Sequence, residues 1–238
     1  MDRLGGRLRK ENITEGDKRL LDDYRHSFTE SYERVLQEIR SGLALKTTGR
    51  VKTTTSIIEK LRRQSIRLSQ IQDIAGCRVV VPGPGLLTED EAVETLKLLF
   101  NRTIIDDRRE QPSHGYRAVH VIVEDSGKLI EVQVRTSLQH LWGELSEKLS
   151  DVVDSAIKYG GGDREVLAIL NGLSEKIRDH ELAESAHFAV ESGDEAEDEL
   201  KELFEGLKIS DLVYGRLSII NTLQAIGEAV PRLKGKKR

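Results

Sequence analysis

The chain has 238 residues, of which 37% are hydrophobic and 33% charged, and its formal net charge is −4. No apolar run is long enough to span a bilayer, the N-terminus has no apolar signal core, and a single cysteine, Cys77, excludes an internal disulfide or a multi-cysteine metal site. These features predict a charged, soluble protein of the cytoplasm, most simply of a bacterium, and argue against general nucleic-acid affinity.

Helical and extended patterns follow one another along the chain. Apolar residues at helical spacing predict helices over 14–45, 53–68, 89–100, 136–149, 163–190 and 197–230. Alternation and turn residues predict strands at 76–82 and 103–107 and a hairpin within 115–136. The run Gly160-Gly161-Gly162 interrupts the chain between two helices. This order predicts an α+β fold, with a small mixed sheet in the middle and helices at both ends.

The hairpin is predicted to have one polar face. A two-residue loop at Ser126-Gly127 would place His120 opposite Gln133. The polar face then consists of Tyr116, His120, Glu131, Gln133 and Arg135. A polar sheet face is as often simply solvated. The combination of an aromatic ring, an imidazole, a carboxylate, an amide and a guanidinium nevertheless favours a binding site.

A basic segment precedes the hairpin. Lys52, Ser56 and Lys60 are spaced at i, i+4 and i+8, which predicts that they stack on one helical face. Two stacked ammonium groups repel each other unless an anion faces them, and a polyphosphate at a helix N-terminus would meet that need. A solvated basic face is the alternative interpretation.

Two carboxylates complete the candidate site. Asp73 precedes the strand at 76–82, and Glu131 lies in the hairpin. Beside bound phosphates, two such groups would hold Mg²⁺ through oxygen ligands. An aspartate before a strand is otherwise usually a turn residue. The residues alone therefore predict a Mg²⁺-dependent site for phosphorylated ligands.

Four motifs occur in the order and approximate spacing of the RelA/SpoT synthetase domain. They are RxKxxxSxxxK at Arg50–Lys60, DIAGxR at Asp73–Arg78, GYxAxH at Gly115–His120 and ExQxRT at Glu131–Thr136. Over roughly residues 45–150 the chain resembles this family, and in particular its small, stand-alone alarmone synthetases. The resemblance implies a nucleotidyltransferase-like α+β fold, with a mixed five-stranded sheet flanked by N- and C-terminal helices. It also implies an N-terminal helical region (1–45), a synthetase domain (46–155) and a C-terminal helical region (156–238).

The implied activity is that of a GTP pyrophosphokinase. The family transfers the β,γ-pyrophosphate of ATP to the 3′-hydroxyl of GDP or GTP, which yields AMP and (p)ppGpp, the alarmone of the stringent response. The implied ATP site consists of Arg50, Lys52, Ser56, Lys60 and Arg78, with the two arginines on either side of the adenine. Asp73 and Glu131 would be the catalytic carboxylates and would hold Mg²⁺, and Glu131 would also take the proton of the attacking hydroxyl.

The resemblance also implies an acceptor site. Tyr116 would stack on the acceptor base, His120 and Gln133 would lie near its phosphates and ribose, and His140 would add a polar contact. Many members carry a lysine four residues before the stacking tyrosine, where this chain has Pro112.

This departure leaves the acceptor open. The residues Arg108, Arg109 and His114 are candidates to replace the missing charge. One alternative is a toxic relative that pyrophosphorylates the 3′-end of tRNA or makes an adenosine alarmone, and another is an inactive nucleotide-sensing module. Retention of Asp73 and Glu131 argues against the inactive module. Small members often form homotetramers through terminal helices, so a homo-oligomer without membrane partners is expected, while the acidic segment 191–205 has no assigned role.

Overall fold

The structure is a computed structural model that describes residues 1–83, 85–192, 206 and 208–233, without the side chains of Arg50, Ser192 and Leu233. The helices in these ranges are α1 (Asp2–Leu8), α2 (Glu15–His26), α3 (Thr29–Leu43), α4 (Thr54–Arg63), α5 (Gly85–Leu99), α6 (Ser137–Val152), α7 (Arg164–Ser192) and α8 (Ile209–Leu233). The strands are β1 (Thr47–Val51), β2 (Ala75–Val81), β3 (Thr103–Asp107), β4 (Val119–Asp125) and β5 (Lys128–Thr136). Short 3₁₀ turns lie at Leu68–Gln70 and Ile157–Tyr159.

The strands of the described ranges form one five-stranded sheet in the order β1-β2-β5-β4-β3. Strand β1 is antiparallel to β2, with Arg50 opposite Gly76. The Glu124 amide donates to the Arg102 carbonyl at the other edge of the sheet. The predicted α+β fold, a mixed five-stranded sheet with flanking helices, is confirmed.

The hairpin differs from its prediction at its first strand. The loop at Ser126-Gly127 is confirmed, and both of its residues have positive φ, 50° and 73°, as a two-residue hairpin turn requires. Strand β4 begins only at Val119, so the prediction that Tyr116 lies on this strand is wrong. The reason is the backbone at His114 and Gly115, where φ values of 54° and 84° interrupt an extended conformation.

Helix α4 is shorter than predicted. Thr53 caps its N-terminus, since the Thr53 hydroxyl accepts a hydrogen bond from the Ser56 amide at 3.2 Å. The helix ends at Arg63 rather than at residue 68, because Gln64 is extended, with φ −114° and ψ 139°. Helix α1 was not predicted, and the predicted start of the last helix and most of the acidic segment 191–205 lie outside the described residues.

The chain divides into two compact units. The first consists of Met1–Val79, Val93–Asp106 and His120–Val134, and the second of Val80–Ala92, Asp107–Val119 and Arg135–Arg238. Most of the sheet belongs to the first unit. In the second, α6, α7 and α8 pack together. The three-part division inferred from the sequence stays a prediction.

The core of the second unit surrounds Trp142. This side chain is 4% exposed, and its indole N–H donates to the Leu170 carbonyl at 2.8 Å. Leu138, Leu145 and Ile177 belong to the same apolar cluster. The described residues contain no helix long and apolar enough to cross a membrane.

Two buried glutamates of the second unit share one amide. The Gln139 Nε2 atom of α6 donates to Glu89 of α5 and to Glu181 of α7, each at 3.2 Å. Burial, reinforced by Glu181 and Asp90, raises the pKa of Glu89 to about 8, although the Arg109 guanidinium 3.5 Å away opposes the shift. Burial likewise raises the pKa of Glu181 to about 7. Glu89 is therefore largely protonated at neutral pH.

We predict that Glu89→Gln reduces the loss of stability at alkaline pH. With a folded pKa of about 8 against an ordinary value of 4.5, folded protein keeps a proton that the unfolded chain has released. The free energy of unfolding therefore falls as pH rises from about 4.5 to about 8. Glutamine cannot ionise, so the variant should gain on the order of 1–3 kcal/mol relative to the parent across this range.

Urea unfolding at intervals from about pH 5 to pH 9 measures this difference. Glu94→Gln is the matched control, since Glu94 lies on the same helix with 65% of its side chain exposed and pairs with Lys97. A difference between Glu89→Gln and parent that does not grow with pH would contradict the prediction.

Candidate functional site

Asp73 lies between two lysines in the first unit. The Lys52 amide donates to the Ile74 carbonyl at 2.7 Å, which joins the end of β1 to the turn before β2. The Lys52 ammonium lies 3.0 Å from one carboxylate oxygen of Asp73, and the Lys60 ammonium lies 2.8 Å from the other. The carboxylate thus has a cation at each oxygen.

The two lysines do not share a helical face. Lys52 precedes α4, because Thr53 is extended with φ −72° and ψ 154° and acts as the N-cap. The predicted i, i+4, i+8 stacking is therefore wrong for Lys52. Its side chain and that of Lys60 instead approach Asp73 from two different elements. The Ser56 hydroxyl, at the start of α4, lies 2.9 Å from the Thr53 hydroxyl.

Opposing effects determine the charge of Asp73. Burial disfavours the carboxylate, but the charges and hydrogen bonds of Lys52 and Lys60 outweigh it and lower the pKa of Asp73. The side chain is 17% exposed, and those of the lysines are 27% and 20% exposed. The group is therefore an ionised, partly accessible carboxylate at neutral pH.

Glu131 is held by its two neighbours on the hairpin. The His120 Nδ1 atom of β4 lies 3.0 Å from Oε1, and the Gln133 Nε2 atom donates to Oε2 at 2.7 Å. Burial opposes ionisation, but the contact with His120, supported by Gln133, lowers the pKa of Glu131 despite repulsion from Asp73. Each carboxylate oxygen of Glu131 thus has a polar partner that fixes its orientation.

The repulsion between Asp73 and Glu131 means that these carboxylates lie within electrostatic range of each other. Two nearby carboxylates suit a hard divalent cation, which prefers oxygen ligands. Among the residues that the structure describes, no group of three or more His, Cys, Asp or Glu side chains could hold a metal ion. A cation bound here would therefore take its remaining ligands from phosphate oxygens or water.

Glycines bring the strands of this region close together. An added Cβ at Gly76 of β2 would lie 2.9 Å from the Glu131 carbonyl oxygen of β5. An added Cβ at Gly49 of β1 would lie 2.5 Å from the Gly76 carbonyl oxygen. The backbone of Arg50 pairs with Gly76, and Arg78 lies two residues further along β2. The two arginines thus occupy neighbouring strands, of which β2 is the one beside the strand of Glu131.

The remaining predicted acceptor residues belong to the second unit. The half-buried Tyr116 receives a hydrogen bond at its hydroxyl from the Arg135 Nη2 atom at 2.7 Å. The His140 Nε2 atom lies 3.5 Å from a Glu144 carboxylate oxygen, with the imidazole 25% exposed. The first unit therefore contains the predicted donor and carboxylate residues together with His120 and Gln133. The second unit contains Tyr116 and His140.

Arg109 is committed to carboxylates. Its guanidinium lies 2.6 Å from Asp107, 2.7 Å from Asp90 and 3.5 Å from Glu89. Its charge is therefore already neutralised, which argues against it as a replacement for the lysine missing at Pro112.

The contact of Arg135 with Tyr116 was not predicted from the sequence. This residue was placed on the polar face of the hairpin, but no function was attached to it. Its side chain is only 4% exposed. The motif ExQxRT carried the signal, because its alternate positions Glu131, Gln133 and Arg135 are those that share a face of a strand.

Comparisons with known proteins agree with the motifs. Residues 49–150 match the family model described as the region found in RelA/SpoT proteins. The GTP pyrophosphokinase YjbM of Bacillus subtilis is 35% identical over 131 residues, or 48% of this chain and 57% of that protein. An uncharacterised protein of Mycobacterium tuberculosis is 35% identical over 124 residues, or 50% of this chain and 44% of that protein. The chain thus spans about half the length of the curated relatives it matches.

Solved structures show the same fold. The small alarmone synthetase 1 from Bacillus subtilis superposes with a TM-score of 0.54 and 27% identity, covering 76% of this chain and 99% of that one. The structure of that enzyme bound to its product pppGpp gives the same TM-score and identity and is covered over its whole length, 100%. Together with the family match, these likenesses confirm the resemblance inferred from the motifs: residues 49–150 of this chain match the region found in RelA/SpoT proteins.

Proposed function

We propose that the chain is an ATP:GTP 3′-pyrophosphotransferase that makes (p)ppGpp and AMP from ATP and GDP or GTP. The observation that carries the proposal is the position of Asp73 between Lys52 and Lys60, with Glu131 in electrostatic range of Asp73, within a region that matches RelA/SpoT proteins. Paired ammonium groups suit a polyphosphate, and paired carboxylates suit its divalent cation. The likeness to a synthetase that binds pppGpp supports a guanosine acceptor.

On the donor side, phosphate oxygens would replace Asp73 as the partner of both lysines. The Ser56 hydroxyl lies at the N-terminus of α4, where helix amide groups also favour an anion. Arg50 and Arg78, on neighbouring strands, would take the adenine between their planar guanidinium groups. Each of these roles follows the family motif, and the ion pairs to Asp73 support those of the lysines.

The reaction forms one bond to phosphorus and breaks another. The acceptor 3′-oxygen attacks the β-phosphorus of ATP, and the bond from that phosphorus to the α,β-bridging oxygen breaks. The bridging oxygen leaves with the electron pair as part of AMP, and the hydroxyl proton passes to Glu131. Since Glu131 is ionised and held by His120 and Gln133, it is ready to accept this proton without reorienting.

A divalent cation fits the two carboxylates. Asp73 and Glu131 would hold Mg²⁺, which supplies neutralisation of the negative charge on the transferred pyrophosphate. The residues themselves contribute position and charge. With Asp73 holding the cation, Lys52 and Lys60 would be available to phosphate oxygens.

On the acceptor side, Tyr116 would stack on the guanine base and His140 would add a polar contact. The contacts of His120 and Gln133 with Glu131 give these two residues a second task, which is to orient the Glu131 carboxylate as the proton acceptor. A homo-oligomer through the terminal helices stays a prediction, which the exposed apolar residues Ile209, Val213 and Leu217 of α8 support.

We predict that Glu131→Gln abolishes transfer while the protein stays folded. Removing a proton acceptor in the reaction should lower the rate by roughly 100-fold or more. Labelled ATP, incubated with Mg²⁺ and with GDP, GTP, ATP or bulk tRNA as acceptor, is followed by chromatography of the products. The parent should label GDP and GTP at the 3′-position and release AMP.

Glu124→Gln is the matched control, because Glu124 lies on the same hairpin and its side chain is 38% exposed beside Arg102. This control should retain activity. Label found only on tRNA or on an adenosine nucleotide would replace the proposed acceptor. An absence of transfer to every acceptor would favour an inactive nucleotide-sensing module.

We predict that Lys60→Gln weakens ATP binding selectively. A charge-assisted hydrogen bond to phosphate is lost, so the KM for ATP should rise roughly 10–100-fold, while the KM for the acceptor changes little. Initial rates with each substrate varied in turn measure both constants. Lys97→Gln, at an exposed lysine of α5, is the control and should leave both unchanged. A rise confined to the acceptor KM would contradict the donor assignment.

We predict that Gly76→Ala lowers kcat. The new methyl group would lie 2.9 Å from the Glu131 carbonyl oxygen, which is backbone and must shift. A decrease of roughly tenfold or more in kcat with a smaller change in either KM is expected. Gly172→Ala on α7 is the control, since nothing lies within 4 Å of a Cβ at that position. Equal activity of both variants would show that β5 adapts freely.

A further inference from the structure

Arg135 is a buried cation that contacts Tyr116 twice. It lies near the end of β5 with 4% of its surface exposed. Its guanidinium carbon is 4.7 Å from the centre of the Tyr116 ring, over the ring face, and its Nη2 atom donates to the Tyr116 hydroxyl at 2.7 Å. A cation stacked on an aromatic face is attracted to it, the more so when it is desolvated. These two contacts fix the ring in both position and rotation.

A glycine of the neighbouring helix makes room for this guanidinium. An added Cβ at Gly143 of α6 would lie 2.7 Å from the Arg135 Nη1 atom. Such a distance is closer than non-bonded contact allows, so any larger residue would displace the end of the arginine side chain. The close fit means that the position of the guanidinium depends on α6 as well as on Tyr116.

Tyr116 also contacts apolar side chains. The Tyr116 ring packs against the apolar cluster that contains Trp142, yet it remains half-buried rather than enclosed. One face is occupied by the guanidinium, so a flat ligand could stack only on what remains accessible. A ring already held in place loses little conformational freedom when such a ligand binds.

We propose that Arg135 is a positioning residue for the acceptor, which holds the Tyr116 ring in the position where its accessible part contacts the purine base of the guanosine nucleotide. This inference rests on the proposed function and assigns a task to a residue outside the donor and metal groups. In this role Arg135 acts through the tyrosine.

The test compares Arg135→Met, Tyr116→Phe and the double variant with the parent. Arg135→Met keeps the length of the side chain but removes the charge and the hydrogen bond. It should raise the KM for GDP or GTP roughly tenfold and leave the KM for ATP unchanged. Tyr116→Phe should raise the acceptor KM less, and the double variant should be no worse than Arg135→Met, because both changes remove one shared contact.

Calorimetric titration with GDP, without ATP, measures acceptor binding apart from turnover and should show the same order of affinities. Gly143→Ala is the second route, since it keeps Arg135 but displaces its guanidinium, and it should reproduce part of the acceptor defect. Arg178→Met, at a surface arginine of α7 that is 40% exposed, is the control and should change nothing.

The outcomes separate the inference from the proposed function. A parent that transfers pyrophosphate to GDP, together with an Arg135→Met variant of unchanged acceptor KM, would overturn the inference alone. Fully additive effects of the two single changes, or an ATP KM raised as much as the acceptor KM, would overturn it as well. A parent that neither binds nor converts a guanosine nucleotide would overturn both. Should Arg135→Met not fold, Gly143→Ala with an unchanged acceptor KM gives the same contradiction.

Discussion

The ion pairs of Asp73 with Lys52 and Lys60 are the interaction on which the donor half of the site depends. Two ammonium groups that approach each other repel, and a partly buried carboxylate is destabilised by loss of water. The Asp73 carboxylate offsets the repulsion between the two lysines, and the two lysines keep the carboxylate ionised. Neither lysine could be held in its place if the aspartate were neutral, so the geometry of the site is maintained by its charge.

The same balance extends to Glu131. Its repulsion from Asp73 would favour protonation, and the imidazole of His120 and the amide of Gln133 offset that tendency. The two carboxylates therefore coexist as anions by means of different partners, ammonium groups for one and hairpin neighbours for the other. A divalent cation held by both carboxylates would have ionised oxygen ligands. The two lysines would then pair with another anion in place of Asp73.

Most of this arrangement could be predicted from the sequence. The motifs contain every residue of the predicted donor and carboxylate groups, and the alternation of side chains placed Glu131 and Gln133 on one face of a strand. The failures are local. Lys52 was assigned to one helical face with Ser56 and Lys60 from its spacing, although it precedes the capping residue Thr53. Tyr116 was assigned to β4 because positive φ at His114, a residue other than glycine, has no reliable sequence signal.

The environments of buried polar side chains could not be predicted from the sequence either. Glu89 was assigned no role from the sequence, and only the packing of α5 with residues distant in sequence reveals its shared amide and raised pKa. Arg135 belongs to a sequence motif, but its partner could not be predicted. The tertiary structure places its guanidinium against Tyr116, which is 19 positions away in the chain. Contacts between distant residues, rather than local propensity, decided both cases.

The location of the single tryptophan has a practical consequence. Trp142 is buried in the second unit, and its ring edge comes so close to Gly115 that an added Cβ there would lie 2.9 Å away. Gly115 immediately precedes Tyr116, and no other indole in the chain contributes to the fluorescence. The protein thus contains an intrinsic fluorescent probe close to Tyr116, and its emission would report a change in the surroundings of this ring without a label.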